Sequence, residues 1–240
     1  MKSVAEILPQ LQVDAGGGEV KLQSPSSLDD LIAKQRQEEA AERQRAKIEA
    51  RHKASGVPAR FTAASFDGFE RRTKLLGVAA DALRDFVSNF AEHAKAGRCL
   101  ILAGPAGTGK THLACAAIRA LCDQGKRAHY IRLGDAIRRL RDTWRKDWHE
   151  TELEVLRMMR EADLLVIDEV GVQFGSEGEK VHIFDIVAGR YDDMRPTIVI
   201  TNCKPEELVT YLGERVLDRL LDNGGRMLVF DGKSNRTRQK

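Results

Sequence analysis

The eight residues from Gly104 to Thr111, GPAGTGKT, constrain this chain more than any other stretch. They fit the pattern G-x-x-x-x-G-K-[ST] at every specified position. A short apolar run, Cys99 to Ala103, stands directly before them, and a helical pattern, Leu113 to Leu121, follows. A strand that turns through a glycine-rich loop into a helix aims successive main-chain N–H groups, and the positive end of the helix dipole, at one point. Such a point holds phosphate. Gly104, Gly107 and Gly109 free the backbone for the turn, Pro105, Ala106 and Thr108 complete the loop, and His112 follows it. Lys110 is placed to reach β- and γ-phosphates, and the Thr111 hydroxyl to help hold Mg²⁺. ATP and Mg²⁺ are therefore the expected ligands. A purely structural glycine turn is the competing reading, and the flanking strand and helix count against it.

Two later strand ends belong with this loop. Leu164-Leu165-Val166-Ile167 runs into Asp168-Glu169, which delivers adjacent carboxylates to the sheet edge where ligands bind in open α/β folds. Asp168 is expected to hold Mg²⁺, and Glu169 to polarise the water that attacks the γ-phosphate. Lys110 and Asp168 are 58 positions apart, which leaves room for a further strand between them in sequence. Thr201-Asn202 closes another apolar run and brings the Asn202 amide to the same edge. With Ala128 to Leu133 and Met227 to Asp231, five buried strand candidates alternate with helical stretches. The expected fold is a parallel α/β sheet. Before its first strand, Leu75, Ala79, Ala82, Leu83, Phe86 and Phe90 form one apolar stripe, closed by Gly97.

A chain of 240 residues holds one such domain and a small appendage, not two full domains. Its 31% charged and 42% hydrophobic content fits a soluble globular protein. No run nears the roughly 20 apolar residues that cross a bilayer, and the first residues carry no leader pattern, so a cytoplasmic protein without membrane association is expected. A net charge of +3 does not name a polyanionic partner. Cys99, Cys115, Cys122 and Cys203 show no metal-ligand spacing and read as structural thiols.

The appendage is the N-terminal 60 residues, ahead of a sheet domain over 61–240. Val4, Ile7, Leu8 and Leu11 recur at helical spacing, and Gly16 to Gly18 end that helix. A second helix opens at Ser27, with Leu28, Leu31 and Ile32 apolar near its start. Its remainder to Lys53 mixes seven basic with four acidic side chains, a solvated face with i,i+4 pairing. Two short apolar patches cannot form a core, so they are expected to dock on something else. Ser55-Gly56-Val57-Pro58 reads as the linker to the sheet domain. A further basic stretch carries Arg138, Arg139, Arg141, Trp144 and Arg145. Cations beside an aromatic ring suit the backbone and bases of a single strand. A solvated helix face with a core tryptophan fits the same composition equally well.

GPAGTGKTHLA, LLVIDEVGVQ, Thr201-Asn202, LGERVLDRL from Leu212 to Leu220, SNRTR from Ser234 to Arg238 and the opening MKSVAEILPQLQ together resemble the DnaC family of bacterial replicative helicase loaders. The resemblance covers nearly the whole chain. It implies a P-loop NTPase of AAA+ type, a five-stranded parallel sheet flanked by helices, and a small helical N-terminal extension that grips a DnaB-type helicase. It implies ATPase activity, with Glu169, Asn202 and Arg215 catalytic. Arg215 is then an arginine finger given in trans to a neighbour stacked head to tail, and Arg236 a second nucleotide sensor. It also implies single-stranded DNA as a ligand of the basic stretch. An IstB-like transposition helper ATPase shares the core motifs, and a nucleotide switch with little hydrolysis is the non-enzymatic alternative.

Overall fold

Apolar side chains on both faces of each strand dictate a sheet covered on both sides. The computed structural model describes residues 25–145, 147–171 and 177–234. Among these, β1 (Leu100–Ala103), β2 (Ala128–Arg132), β3 (Leu164–Val170), β4 (Thr197–Thr201) and β5 (Arg226–Val229) form one sheet in the order β2-β3-β4-β1-β5. Every pairing is parallel. The expected five strands are all present, with ends shifted by a residue or two. β3, expected to end at Asp168, runs on to Val170, so Glu169 lies within the strand as well.

The helices follow from the period of two. Leu100, Leu102, Leu164, Val166, Ile198 and Ile200 point to one face and pack with α2 (Lys74–Ser88) and α4 (Lys110–Asp123). Ile101, Leu165, Ile167 and Val199 point to the other, under α5 (Leu133–Asp142), α6 (Glu152–Glu161), α7 (Glu177–Asp192), α8 (Pro205–Leu212) and α9 (Glu214–Leu221). Each large apolar side chain fully buried this way contributes roughly 1.5–3 kcal/mol before entropy. The predicted stripe before β1 is broken in two. Thr73 caps α2 by accepting the Leu76 N–H at 3.1 Å, Asn89 interrupts it, and α3 (Phe90–Lys95) follows. Leu76 is buried in place of Leu75, which is 45% exposed.

The chain divides into two units, one up to Gln44 and one from Arg45 onward. Helix α1 (Pro25–Ala54) supplies the described part of the first. Its side chains from Asp30 to Gln44 are all exposed, Leu31 at 60% and Ile32 at 41%, and Glu39 and Arg43 form the expected i,i+4 pair. Leu28 lies in the first turns of α1, while Val4, Ile7, Leu8 and Leu11 fall outside the described residues. In the second unit the end of α1 is fastened down. His52 Nε2 meets Asp123 Oδ1 of α4 at 2.8 Å, and the Tyr130 N–H donates to Ser55 O at 2.7 Å. The predicted linker is thus a strap on the outer edge of β2. Gly56 sits at φ 70° with a Cβ position only 2.5 Å from Tyr130 O, so the strap needs glycine there.

One buried charge organises the far side of the sheet, and no motif announces it. Arg190 of α7 is fully buried. Its guanidinium donates to Met159 O, Arg160 O and Ala162 O at the end of α6, to Pro196 O, and to Thr197 Oγ1 on β4. These acceptors stand in for water around a cation that has no carboxylate partner among the described residues. Burial accordingly lowers its pKa to about 9. Replacement by Met at Arg190 keeps the volume and strands these carbonyls. Arg190→Met should lower the unfolding free energy by on the order of 3 kcal/mol, read as a reduced urea midpoint at unchanged slope.

Candidate nucleotide-binding site

The loop after β1 and the end of β3 meet over the carboxyl edge of the sheet, at a cleft of about 390 Å³. Ala106, Gly107, Gly109, Lys110, Thr111, His112, Asp168, Glu169 and Asn202 all line it. Gly104 is required by a close approach. The Phe230 N–H donates to Ala103 O at 2.7 Å, and a Cβ on Gly104 would fall 2.0 Å from Phe230 O. Gly109, at φ 98°, caps α4 and leaves room for the Phe69 ring, which a Cβ would approach to 2.6 Å. Within the loop, Thr108 Oγ1 donates to Pro105 O at 2.9 Å, and His112 Nε2 lies 2.9 Å from Ser65 O.

Lys110 opens α4 and is 5% exposed. Its Nζ donates to Gly104 O at 2.6 Å and Pro105 O at 2.7 Å, which curls the loop around the ammonium. Thr111 Oγ1 donates to Asp168 Oδ2 at 2.8 Å. A buried cation at a helix N-terminus stands beside a hydroxyl and a carboxylate, the hard oxygen donors that suit Mg²⁺. This donor set fits a magnesium-bound polyphosphate.

The Asp168 carboxylate accepts two further bonds, from the Tyr130 hydroxyl at 2.9 Å and from the Glu169 N–H at 2.7 Å. The ladder between β3 and β4 slips at this point, between Ile167 and Val170, and Glu169 takes φ 61°. The slip turns the Glu169 side chain out into the cleft, where its carboxylate faces Arg132 Nε at 3.6 Å. Burial, then the Asp168 charge, pushes the Tyr130 phenol well above its usual range, so it remains an O–H donor.

Sequence reasoning missed four residues here. Arg60 and Phe61 line the cleft from a 3₁₀ turn, and Tyr130 and Arg132 reach the two carboxylates from β2. No motif covers them. The one signal was the polar tip of β2 at the sheet edge already marked by Asp168. Of the other predicted residues, Arg215 is exposed on α9 and does not line this cleft, and Arg236 lies outside the described residues.

The family model described as IstB-like ATP binding protein matches residues 3–240. The replicative helicase loader DnaC of Escherichia coli K12 is 35% identical over 188 residues, covering 77% of this chain and 74% of that one. The chain belongs to the IstB/DnaC family of ATP-binding proteins. A crystal structure of the DnaC helicase loader superposes with TM-score 0.66 at 26% identity, covering 72% of this chain and all of that one. AMPPCP-bound DnaA from Aquifex aeolicus superposes with TM-score 0.61 at 23% identity over 76% of this chain and 53% of that one, a likeness of fold. The domain is thus an ATP-binding P-loop domain of AAA+ type. Among the described residues no helix is long and apolar enough to cross a membrane.

The basic stretch is less uniform than its composition. Leu133, Ala136, Ile137 and Leu140 bury one face of α5. Arg138 pairs with Asp135, Arg145 with Asp142 at 3.7 Å, and Arg139 Nε donates to Glu150 Oε2 at 2.8 Å. Trp144 is 69% exposed and no core residue, its indole N–H donating to Glu152 at 3.3 Å. Arg139 thus braces the connection from α5 to α6. Arg139→Ala should lower the melting temperature by a few degrees while Arg138→Ala leaves it unchanged. Arg139 holds the Glu150 carboxyl below its usual range, so this gap should be full above about pH 4.3 and vanish as pH falls through the folded value.

Proposed function

We propose that this protein is an ATP-driven loader that binds a DnaB-type replicative helicase, delivers it onto single-stranded DNA in the cytoplasm, and is released on ATP hydrolysis. The observation that carries the reading is the bond from Thr111 to Asp168 beside Lys110, in a chain 35% identical to a curated helicase loader over 74% of its length. The transposition-helper alternative is not favoured, because that relative is named for helicase loading. Turnover rather than switching is supported by a second carboxylate, Glu169, that lines the cleft.

In this reading residues 104–112 wrap the phosphates, and Lys110 neutralises their charge. Thr111 and Asp168 would hold Mg²⁺, which supplies further charge neutralisation. Glu169 takes the proton of the attacking water, with Asn202 orienting that water across the cleft. Arg215, exposed and outside the lining of its own chain's cleft, is available to a neighbour stacked head to tail. Arg236 serves as second sensor. Trp144 stacks bases while Arg138, Arg139, Arg141 and Arg145 supply positive charge to the strand's phosphates. The N-terminal arm, residues 1 to about 60, carries the helicase anchors Val4, Ile7, Leu8, Leu11, Leu28, Leu31 and Ile32, which suit a helix-in-groove contact.

Lys110→Ala should weaken ATP binding on the order of a hundredfold in a fluorescent-analogue titration. Glu169→Gln should bind ATP normally and lose on the order of a hundredfold in hydrolysis. Unimpaired binding by the first variant, or unimpaired turnover by the second, would refute the site assignment. Deletion of residues 1–44, which leaves the strap at 52–56 in place, should abolish helicase pull-down and preserve both ATP affinity and melting temperature.

A further inference from the structure

Tyr130 stands where three parts of the molecule meet, and none of the motifs includes it. It lies in the middle of β2 opposite Val166 of β3 and is 6% exposed. Its main chain is held from outside by the strap, through the N–H bond to Ser55 O at 2.7 Å. Its ring packs in the core on the α4 side of the sheet. Its hydroxyl reaches Asp168 Oδ2 at 2.9 Å, the oxygen that also accepts Thr111 Oγ1 at 2.8 Å. Arg132, two residues on along the same strand, pairs with Glu169. A fixed backbone, a packed ring and a shared acceptor leave the hydroxyl one place to donate.

We propose that Tyr130 is a positioning residue that fixes the Asp168 carboxylate in the orientation needed to hold Mg²⁺. The inference rests on the reading of the cleft as a magnesium-nucleotide site. An aspartate side chain has two rotatable torsions, and the bonds from Thr111 and the Glu169 N–H restrain it only from the loop side and from its own backbone. The phenol supplies the third direction. Hydrogen-bond partners of metal-holding groups typically account for about 10–100-fold in metal affinity, because they select the binding orientation before the ion arrives.

The test is Tyr130→Phe in the full chain, which keeps the ring and its packing and removes only the donor. Binding of a fluorescent ATP analogue is measured across a Mg²⁺ titration and again in excess chelator. The half-saturating Mg²⁺ concentration should rise about tenfold, while affinity in chelator stays at the wild-type value. An unchanged Mg²⁺ midpoint overturns the proposal. So does an equal loss with and without Mg²⁺, the signature of a structural defect. A double-variant cycle adds a second discriminator. In an Asp168→Asn background Tyr130→Phe should shift the midpoint no further, since its effect runs through Asp168, and additive shifts overturn the assignment. Wild-type protein that shows no Mg²⁺-dependent nucleotide binding would instead defeat the reading of the cleft itself, before Tyr130 is reached.

Discussion

A single hydrogen bond of 2.8 Å, from Thr111 to Asp168, joins segments 57 positions apart and ties the phosphate loop to the acidic strand. It exists because of the strand order. β4 lies between β1 and β3, so the loop and the carboxylates start two strand spacings apart, about 10 Å. Helix α4 closes that gap by crossing from the end of β1 over β4 and β3 to β2, packing against the last three. Its entry is set by Gly109 in a left-handed conformation and its depth by Leu113, Ala114 and Ile118, all fully buried. The cleft is therefore a by-product of sheet order and helix packing. A change in either would separate the cation from the carboxylates without touching a functional residue.

The acidic end of β3 is the least relaxed part of this arrangement. A non-glycine residue in the left-handed region costs about 1–3 kcal/mol, and Glu169 sits there at φ 61°. The slip in the ladder between Ile167 and Val170 accompanies it. The Glu169 N–H, which a regular ladder would pair with β4, donates instead to its neighbour Asp168. One distortion thus settles both carboxylates, Asp168 turned inward to Thr111 and Tyr130, Glu169 outward to Arg132. Strain stored at this place is consistent with a catalytic role for the outward carboxylate.

Charge is used in two opposed ways in the rest of the molecule. Arg190 is buried, pairs with no carboxylate among the described residues and is satisfied by carbonyls and the Thr197 hydroxyl, so it fixes α6, α7 and β4 to one another. The charged side chains of α1 up to Gln44 stay in water, where pairs such as Glu39 with Arg43 contribute little to stability. A helix with so little to bury is the physical ground for the proposal that the arm meets a partner.

The sheet, the phosphate loop and the paired carboxylates are legible before any long-range contact is known. Those features are written in short-range signals: short unbroken apolar runs, glycines that permit a turn, and a cation next to a hydroxyl. The loop residues from Ala106 to His112, with Asp168, Glu169 and Asn202, were legible for that reason. Tertiary structure alone decided which neighbours complete them. Tyr130 and Arg132 look like any strand residues until β2 pairs with β3 and brings their side chains to the carboxylates. Arg190 reads as one more charge on a helix until α6 and β4 surround it with carbonyls. Arg139 reads as one more cation of a basic stretch until Glu150, eleven positions on, folds back to pair with it. Ser55-Gly56 reads as a linker until the edge of β2 offers it an N–H. Each of these roles depends on a contact between chain segments that share no local pattern, and only packing brings such segments together.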